Sequence, residues 1–340
     1  MTQATLGELE TAARAGDVDA MAALGMRLIG GREAAFDPQQ GASWIERAAE
    51  RDHPQACERL AVMTAAGSCR ERNWNAALAL MARAARAGSP SARAQLAWLA
   101  AESTPGRTPP RWSEAQAWPG AIDLESLLAM PPKRAIAESP RLRAFERFAS
   151  PALCDWMIGA ARGQLRRAQI YDGASGIAVL GSARTNRETD FDILQADLVL
   201  TLLRERIAAA TGLPTAVMEL TKVLHYRVGE RFDTHFDYID PAAPGLAAEI
   251  EARGQRLATF LLYLNDDYEG GETEFSAIGL RHRGRRGDAL MFANVDLEGR
   301  PDRRSLHAGL APRAGEKWLL SQWIRDRVAR RPIVAPTAQD

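Results

Sequence analysis

The sequence predicts an α+β protein in two parts, an N-terminal α-solenoid of helix pairs and a C-terminal antiparallel sandwich or barrel. Two observations support this prediction. An internal repeat with a period of 36 residues covers roughly the first hundred positions. Later in the chain, short apolar stretches follow one another with glycine-containing turns between them, as in antiparallel sheets. These stretches are 221–228, 256–265, 272–278, 288–295 and 317–324.

Three segments define the repeat, and each has the form A-A-x-x-x-x-x-x-A-x-x-x-L. They are AARAGDVDAMAAL at 12–24, AAERDHPQACERL at 48–60 and AARAGSPSARAQL at 84–96. The small Ala pairs let helices approach closely. Glycine, aspartate and proline, between the Ala pair and the later Ala of the motif, supply turns. The pattern resembles the Sel1-like branch of the tetratricopeptide-type repeats over roughly residues 5–100.

Length and composition bound the class of protein. With 340 residues and 46% hydrophobic content, the chain is expected to form two or more domains with substantial cores. Its formal net charge of zero predicts neither a nucleic-acid nor a membrane-surface partner. The three cysteines lack C-x-x-C spacing, the N-terminus lacks a signal-peptide pattern, and no apolar run is long enough to span a bilayer. These features predict a cytoplasmic protein.

The predicted domain boundaries follow changes in composition. The stretch 102–140 contains the doublets Pro109–Pro110 and Pro131–Pro132, which disfavour helix, and it is interpreted as a linker with one short helix at 121–130. Helices at 151–169 and 190–211 are predicted before the strands. The resulting assignment is a repeat domain at 1–101, a linker at 102–140, a second domain at 141–327 and a C-terminal tail at 328–340.

The segment RFDTHFDYID, residues 231–240, carries candidate metal ligands. His235 and Asp237, at i and i+2 of an extended segment, point to the same face. His307 lies at or beside a late strand and completes a set of two histidines and one carboxylate. That set suits non-haem Fe(II) and leaves three coordination positions open. A polar strand edge is the alternative, because H-x-D occurs by chance in many chains.

Lys317 strengthens the metal-site interpretation. It follows His307 by ten residues. In the predicted strand it shares one face with Leu319, Ser321 and Trp323, because every second residue points to the same side. If that face lines the barrel, the ammonium is buried and needs a partner, which a dicarboxylate co-substrate would supply. Lysine is rare in this arginine-rich chain, so its use here favours a requirement for a compact cation. A strand-end lysine that reaches solvent is the alternative.

Several runs together resemble the catalytic domain of prolyl 4-hydroxylases, which are Fe(II)/2-oxoglutarate dioxygenases. The runs are HYRVGERFDTHFD, RLATFLLYLND, YEGGETEF, RRGDALMF, SLHAGL and GEKWLLSQWI, within about 140–326. The resemblance implies a double-stranded β-helix, or jelly-roll, for the second domain. It also implies Fe(II) as cofactor, 2-oxoglutarate and O2 as co-substrates, and ascorbate as a further candidate cofactor.

The resemblance extends to single residues. It implies metal ligands at His235, Asp237 and His307, and a lysine for the distal carboxylate of 2-oxoglutarate at Lys317. It implies further residues that line the co-substrate pocket, at Tyr226, Thr273 and Trp323, and a peptide contact at Arg256. Phe232 departs from the pattern, because some relatives have a tyrosine there whose hydroxyl would lie near the substrate.

Three functions fit these observations. The first is a dioxygenase that hydroxylates a prolyl residue of a protein or peptide, with the repeats as the module that recruits the substrate. The second is the same iron chemistry on a small molecule, another side chain or an alkylated base, although the zero net charge disfavours the last. The third is a non-catalytic scaffold with a degenerate barrel, which is disfavoured because neither a ligand nor the lysine is missing.

Overall fold

The computed structural model describes residues 4–106, 118–171, 178–243 and 245–329. The predicted C-terminal tail, 328–340, therefore lies outside the described residues from position 330 onward. Within these ranges, none of the helices combines the length and the hydropathy that a bilayer span requires.

The described helices are α1 (Leu6–Arg14), α2 (Val18–Gly30), α3 (Pro38–Ala49), α4 (Pro54–Ala66), α5 (Trp74–Arg86), α6 (Pro90–Ser103), α7 (Leu124–Leu128), α8 (Pro151–Arg162), α9 (Leu198–Thr211) and α10 (Ala247–Arg253). The described strands are β1 (Lys133–Glu138), β2 (Arg141–Phe145), β3 (Arg166–Arg167), β4 (Ile170–Tyr171), β5 (Ala178–Val179), β6 (Arg187–Phe191), β7 (Thr221–Tyr226), β8 (Phe232–His235), β9 (Arg256–Tyr263), β10 (Glu269–Gly270), β11 (Thr273–Phe275), β12 (Leu280–His282), β13 (Ala289–Ala293), β14 (His307–Gly309), β15 (Pro312–Ala314) and β16 (Lys317–Arg325).

The first six helices form the three predicted pairs, and the repeat motif explains their packing. In each copy the Ala-Ala pair ends the first helix, and the later Ala and Leu lie one turn apart in the second helix. These positions are buried in one shared core, as Ala13, Ala49 and Leu60 illustrate. Small side chains at the contact let the helices approach closely, so the predicted helix-pair architecture is confirmed.

The turn inside each pair repeats the same chemistry. Gly16, Asp52 and Gly88 occupy the equivalent position, and their φ angles are 101°, 56° and 102°. This left-handed backbone is the reason for glycine in two copies and for aspartate, which tolerates it, in the third. The next residue of each copy caps the second helix by accepting a backbone N–H three positions later: Asp17, His53 and Ser89. His53 is therefore explained as a helix cap.

The chain divides into two compact units, and the division does not follow chain order. The first contains the described residues up to Ala129 together with Asp192–Glu205, and the second contains Met130–Phe191 and the described residues from Arg206 onward. The start of α9 thus belongs to the first unit, where Leu198 and Leu202 join the core of the repeats. The sequence pattern did not separate this segment from the predicted domain at 141–327.

Arg59 of α4 holds this segment inside the first unit. Its side chain is buried, and its guanidinium donates hydrogen bonds to the main-chain oxygens of Ile193, Leu194 (2.5 Å) and Ala196 (3.0 Å). From α6, the Gln95 side-chain oxygen accepts the Leu198 N–H at 2.8 Å. Polar side chains of the repeats thus satisfy backbone groups that would otherwise be buried without partners.

The second unit is built on two antiparallel sheets. The larger has the strand order β1-β2-β13-β9-β16-β7-β6-β3, and the smaller has the order β12-β11-β14-β8. Phe275 of the small sheet packs in one apolar cluster with Phe292 and Leu319 of the large sheet, so the two sheets face each other. Their shared interior agrees with the predicted sandwich or barrel, and the predicted fold class is confirmed.

Three local predictions need correction. Lys133–Glu138, inside the predicted linker, is an edge strand that pairs with β2, and the Pro131–Pro132 doublet directly precedes it, where missing N–H groups are tolerated. The linker residues 107–117 lie outside the described ranges. Helix α8 ends at Arg162 rather than at 169. Helix α9 begins at Leu198 rather than at 190, because Asp192 and Asp197 bind nearby backbone N–H groups and the residues before them form β6.

Arg59→Met is expected to destabilise the first unit. Three main-chain oxygens in partly buried contacts would lose a charged donor, which predicts a loss in unfolding free energy of about 3 kcal/mol. Denaturant unfolding of the full chain measures it. Arg14→Met is the matched control, since Arg14 is exposed and its ion pair with Glu10 is worth less than about 0.5 kcal/mol. Equal stability of the two variants would contradict the role given to Arg59.

Candidate metal centre

Two histidines from distant parts of the chain meet across one strand pair. In the small sheet β14 pairs with β8, and the register places His307 directly opposite His235. Asp237 follows just beyond the end of β8. The pairing therefore brings His235 and Asp237, which are neighbours in sequence, together with the distant His307, as the predicted ligand set requires.

The three side chains surround a common point. The Nε2 atom of His235 lies 3.6 Å from Asp237 Oδ1, and the Nε2 atom of His307 lies 3.6 Å from Asp237 Oδ2. One donor atom from each residue lies within 4.8 Å of the other two. Asp237 and His307 are buried, and His235 is half-buried, so the donors are largely shielded from bulk water.

Backbone contacts fix which imidazole nitrogen is available. His235 Nδ1 lies 2.7 Å from the main-chain oxygen of Asp233, and His307 Nδ1 lies 2.9 Å from that of Ser305. A carbonyl oxygen only accepts, so each Nδ1 carries the proton. Each Nε2 atom is then available to a metal ion, and donation of the other ring N–H to a backbone carbonyl is the arrangement that metal-ligating histidines adopt.

The charge state of the site also suits a cation. Burial, and then the neighbouring His307, lower the pKa of His235 to about 3, so its imidazole is neutral. Burial acts to raise the pKa of Asp237, but the two histidines outweigh it and hold the pKa below its usual value. Two imidazoles that each present an Nε2 atom, together with one carboxylate, form a donor set that fits a divalent ion such as Fe(II).

The ring of His235 is held by stacking. Phe232 lies parallel to it, with ring centroids 3.5 Å apart and an interplanar angle of 13°. The guanidinium of Arg184 covers Phe232 at 4.5 Å, and Arg184 is itself fixed by hydrogen bonds to Glu188 (2.6 Å) and Asn186 (3.1 Å). Phe232, the position that departs from the prolyl 4-hydroxylase pattern, therefore packs against a candidate ligand.

A cavity opens beside these donors. Except for Arg256, every residue that the sequence singled out for the site lines it: His235, Asp237, His307, Lys317, Tyr226, Thr273, Trp323 and Phe232. The remaining lining is mostly apolar, with Leu224, Leu261 and Leu319 among it. The cavity thus combines a donor cluster, a few polar groups and an apolar wall, as small-molecule sites do.

Lys317 begins β16 opposite Tyr226 and is fully buried. Its ammonium donates to the main-chain oxygen of Gly271 at 2.7 Å and lies 5.1 Å from the Tyr226 ring. Burial lowers the pKa of Lys317 to about 7. Among the residues that the structure describes, the hydrogen-bond acceptor of this ammonium is a neutral carbonyl, and the charge of Glu272 only partly offsets burial, so a bound anion would stabilise Lys317.

The other predicted pocket residues differ in their contacts. The Thr273 hydroxyl shares a 2.9 Å hydrogen bond with that of Tyr263. Trp323 Nε1 is buried and has no acceptor among the described residues. Arg256 stacks on Trp323 at 3.7 Å and pairs with Glu219 at 2.6 and 3.0 Å. Arg256 is therefore bound to a buried carboxylate, and its predicted peptide contact remains a prediction.

The sequence did not single out several residues that shape the site. Thr259, Leu261 and Tyr263 are every second residue of β9 and therefore share one face of the strand. This period of two was the available signal. Arg184 lies in the segment SARTN, residues 182–186, just before β6, and no periodic pattern marks it. Asn294 follows β13 and contacts Thr259, and no local pattern indicates that contact.

Comparison with known proteins assigns the family. Residues 221–325 match the model of the 2OG-Fe(II) oxygenase superfamily. Prolyl 4-hydroxylase 1 of Arabidopsis thaliana is 31% identical over 212 residues, which are 56% of this chain and 71% of that protein. A probable prolyl 4-hydroxylase 6 from the same plant is 33% identical over 209 residues, 56% of this chain and 70% of that protein. The chain therefore belongs to the prolyl 4-hydroxylase family of 2OG-Fe(II) oxygenases and is a 2-oxoglutarate-dependent dioxygenase.

Solved structures similar to each part of the chain are also known. A viral collagen prolyl hydroxylase from Paramecium Bursaria Chlorella virus-1, in complex with 2OG, is 24% identical and covers 54% of this chain and 94% of its own, with a TM-score of 0.41. A Sel1 repeat protein from Oxalobacter formigenes is 21% identical and covers 36% of this chain and 51% of its own, with a TM-score of 0.29.

Lys317→Met is expected to stabilise the protein in a pH-dependent way. The pKa of Lys317 is about 7 in the fold against 10.5 for a free side chain, so the unfolded chain holds the extra proton between these values. Wild-type unfolding free energy therefore rises with pH over this window, by up to about 1.4 kcal/mol per pH unit. The advantage of the variant is fully present below about pH 7 and shrinks as pH rises.

Denaturant unfolding of both proteins on either side of pH 7 measures this difference. Lys133→Met, on the exposed edge strand β1, is the control and should change stability little at any pH. A stability difference between Lys317→Met and wild type that stays constant with pH would show that the folded protein does not bury the ammonium at a cost.

Proposed function

We propose that the protein uses Fe(II), 2-oxoglutarate and O2 to hydroxylate a C–H bond of a prolyl residue in a protein or peptide. One observation carries the proposal: the two-histidine, one-carboxylate cluster shares a single cavity with a buried lysine that forms no ion pair within the described ranges. The names of the relatives, which are prolyl 4-hydroxylases, support the choice of substrate.

The cluster would hold the metal through Nε2 of His235, Nε2 of His307 and the carboxylate of Asp237. When bound, Fe(II) with 2-oxoglutarate and O2 supplies the chemistry that converts C–H to C–OH while the co-substrate becomes succinate and CO2. The protein orients the ligands. Contacts of Nδ1 with backbone carbonyls fix both imidazoles, and the stacked Phe232 ring prevents the imidazole of His235 from turning.

Lys317 would bind the distal carboxylate of 2-oxoglutarate. The ammonium stands in the same cavity, and a carboxylate there would replace a neutral acceptor with a charged one. The apolar side chains of Leu224, Leu261 and Leu319 would exclude water around this contact and strengthen it. The indole N–H of Trp323 is a further donor that a bound molecule would satisfy.

Phe232 is the reason to consider a second class of substrate. A phenylalanine offers no hydroxyl to orient a peptide near the metal, and here its ring is committed to stacking on His235. The same iron chemistry on a small molecule or on another side chain is therefore the alternative. An ascorbate requirement and a cytoplasmic location remain predictions from the sequence.

We propose that the repeats recruit the protein substrate, through faces that the chain does not itself use. In the first unit Arg59 and Gln95 bind the segment 192–205 through its backbone. A Cβ added to Gly30 would lie 2.6 Å from Leu194, so α2 contacts the same segment closely. A partner would accordingly bind the repeats away from these faces of α2, α4 and α6.

Succinate formation tests the enzymatic proposal directly. Purified protein with Fe(II) and 2-oxoglutarate is expected to form succinate faster when proline-containing peptides are added, and mass spectrometry should find one added oxygen atom on a prolyl residue. His307→Ala should abolish both signals, because it removes one metal donor. Equal turnover by wild type and His307→Ala would contradict the metal site. Turnover that small acceptors stimulate and peptides do not would favour the alternative substrate class.

Lys317→Met is also expected to raise the KM for 2-oxoglutarate at least about 30-fold, because loss of one partner of a buried charge pair costs roughly 2–5 kcal/mol. In the wild type, affinity should fall as pH rises above about 7, since only the protonated lysine pairs with the carboxylate. Lys133→Met serves as the control. An unchanged KM in Lys317→Met would exclude the lysine from co-substrate binding.

A further inference from the structure

The carboxylate of Asp237 has a hydrogen-bond partner that the proposed function does not yet use. The Thr259 hydroxyl donates to Asp237 Oδ2 at 2.6 Å, and both residues are buried. Thr259 lies on β9 of the large sheet, where its register partners are Phe292 on β13 and Trp323 on β16. The contact therefore ties the ligand segment that follows β8 to the centre of the other sheet.

A second buried residue fixes the direction of this contact. The side-chain amide of Asn294 donates to the Thr259 hydroxyl oxygen at 3.1 Å. A carboxylate only accepts and an amide N–H only donates, so the single hydroxyl proton of Thr259 is committed to Asp237. If the Asn294 amide were reversed, its oxygen would accept the Thr259 hydroxyl proton, and the Asp237 carboxylate would lose its donor.

The backbone keeps Asn294 in place. Its N–H donates to the main-chain oxygen of Leu257 at 2.8 Å, and its carbonyl oxygen accepts the N–H of Asp302 at 3.0 Å. Asn294 has no solvent exposure, so its amide cannot exchange Thr259 for bulk water. The relay from Asn294 to Thr259 to Asp237 thus begins at a buried residue whose backbone is held on both sides.

We propose that Asn294 and Thr259 are positioning residues that hold the Asp237 carboxylate in its metal-binding orientation. The two carboxylate oxygens lie at equal distances, 3.6 Å, from the Nε2 atoms of His235 and His307. A hydrogen bond to one oxygen prevents rotation of the carboxylate plane and preserves that symmetric placement. Without it, Oδ2 would be buried without a donor and the plane would be free to turn.

This inference rests on the proposed metal site, and metal affinity measures it without reference to turnover. Metal-free protein is titrated with Co(II) under anaerobic conditions, and the visible spectrum of the bound ion gives the Kd. Thr259→Val, which keeps the shape and loses the hydroxyl, is expected to raise the Kd by about 10- to 100-fold. Thr259→Ser, which keeps the hydroxyl, should stay within about threefold of wild type.

The matched control is Thr221→Val. Thr221 is also a buried threonine of the large sheet, and its hydroxyl donates to Gln322 at 2.6 Å, but it does not line the cavity. This variant loses a buried hydroxyl as well, so it should lower thermal stability without changing the Kd for Co(II). Thermal unfolding of the metal-free variants separates a loss of fold from a loss of affinity.

A double-mutant cycle tests the relay itself. Asn294→Leu should weaken Co(II) binding in the wild-type background and have no further effect in the Thr259→Val background, because it acts only through that hydroxyl. Additive effects, or a Thr259→Val Kd equal to that of the wild type, would overturn the relay while leaving the metal site intact. Absence of Co(II) binding by the wild type would reject the metal site and the relay together.

Discussion

The pairing of β14 with β8 is the constraint on which the site depends. The register sets His307 opposite His235, although 71 residues separate them in sequence, and Asp237 follows at the end of the same strand. A slip of one residue would turn each side chain to the other face of the sheet and separate the donors. His307 also packs against Phe275 and Phe292, with ring centroids 5.7 and 4.7 Å away, and a slip of β14 would remove these contacts.

Two buried polar groups of the site lower the stability of the fold. A methionine would fit the surroundings of Lys317 at a lower cost than an ammonium whose hydrogen-bond acceptor, in the part of the chain that the structure describes, is the Gly271 carbonyl. Proteins retain such groups where function requires them, at the expense of stability. The same holds for the buried indole N–H of Trp323, which lacks an acceptor among the described residues and faces the same cavity.

The sequence predicted what depends on local patterns. The 36-residue period located the helix pairs, and the apolar stretches between glycine turns located β7, β9, β13 and β16; the predicted ligands and Lys317 line one cavity. What it did not indicate depends on contacts between distant segments. Arg59 binds backbone carbonyls more than a hundred positions away, and Thr259 meets Asp237 only after two sheets have packed. Single positions carry no periodic signal of such partners.

The central claim is that the β8–β14 register creates a two-histidine, one-carboxylate site for one divalent ion. X-ray absorption at the iron edge of anaerobic, Fe(II)-loaded wild-type protein tests it most directly. We expect one tightly bound iron per chain, with the scattering pattern of two imidazole rings and otherwise oxygen donors, and a change in the spectrum when 2-oxoglutarate is added. Iron bound without imidazole scattering, or no tightly bound iron at all, would contradict it.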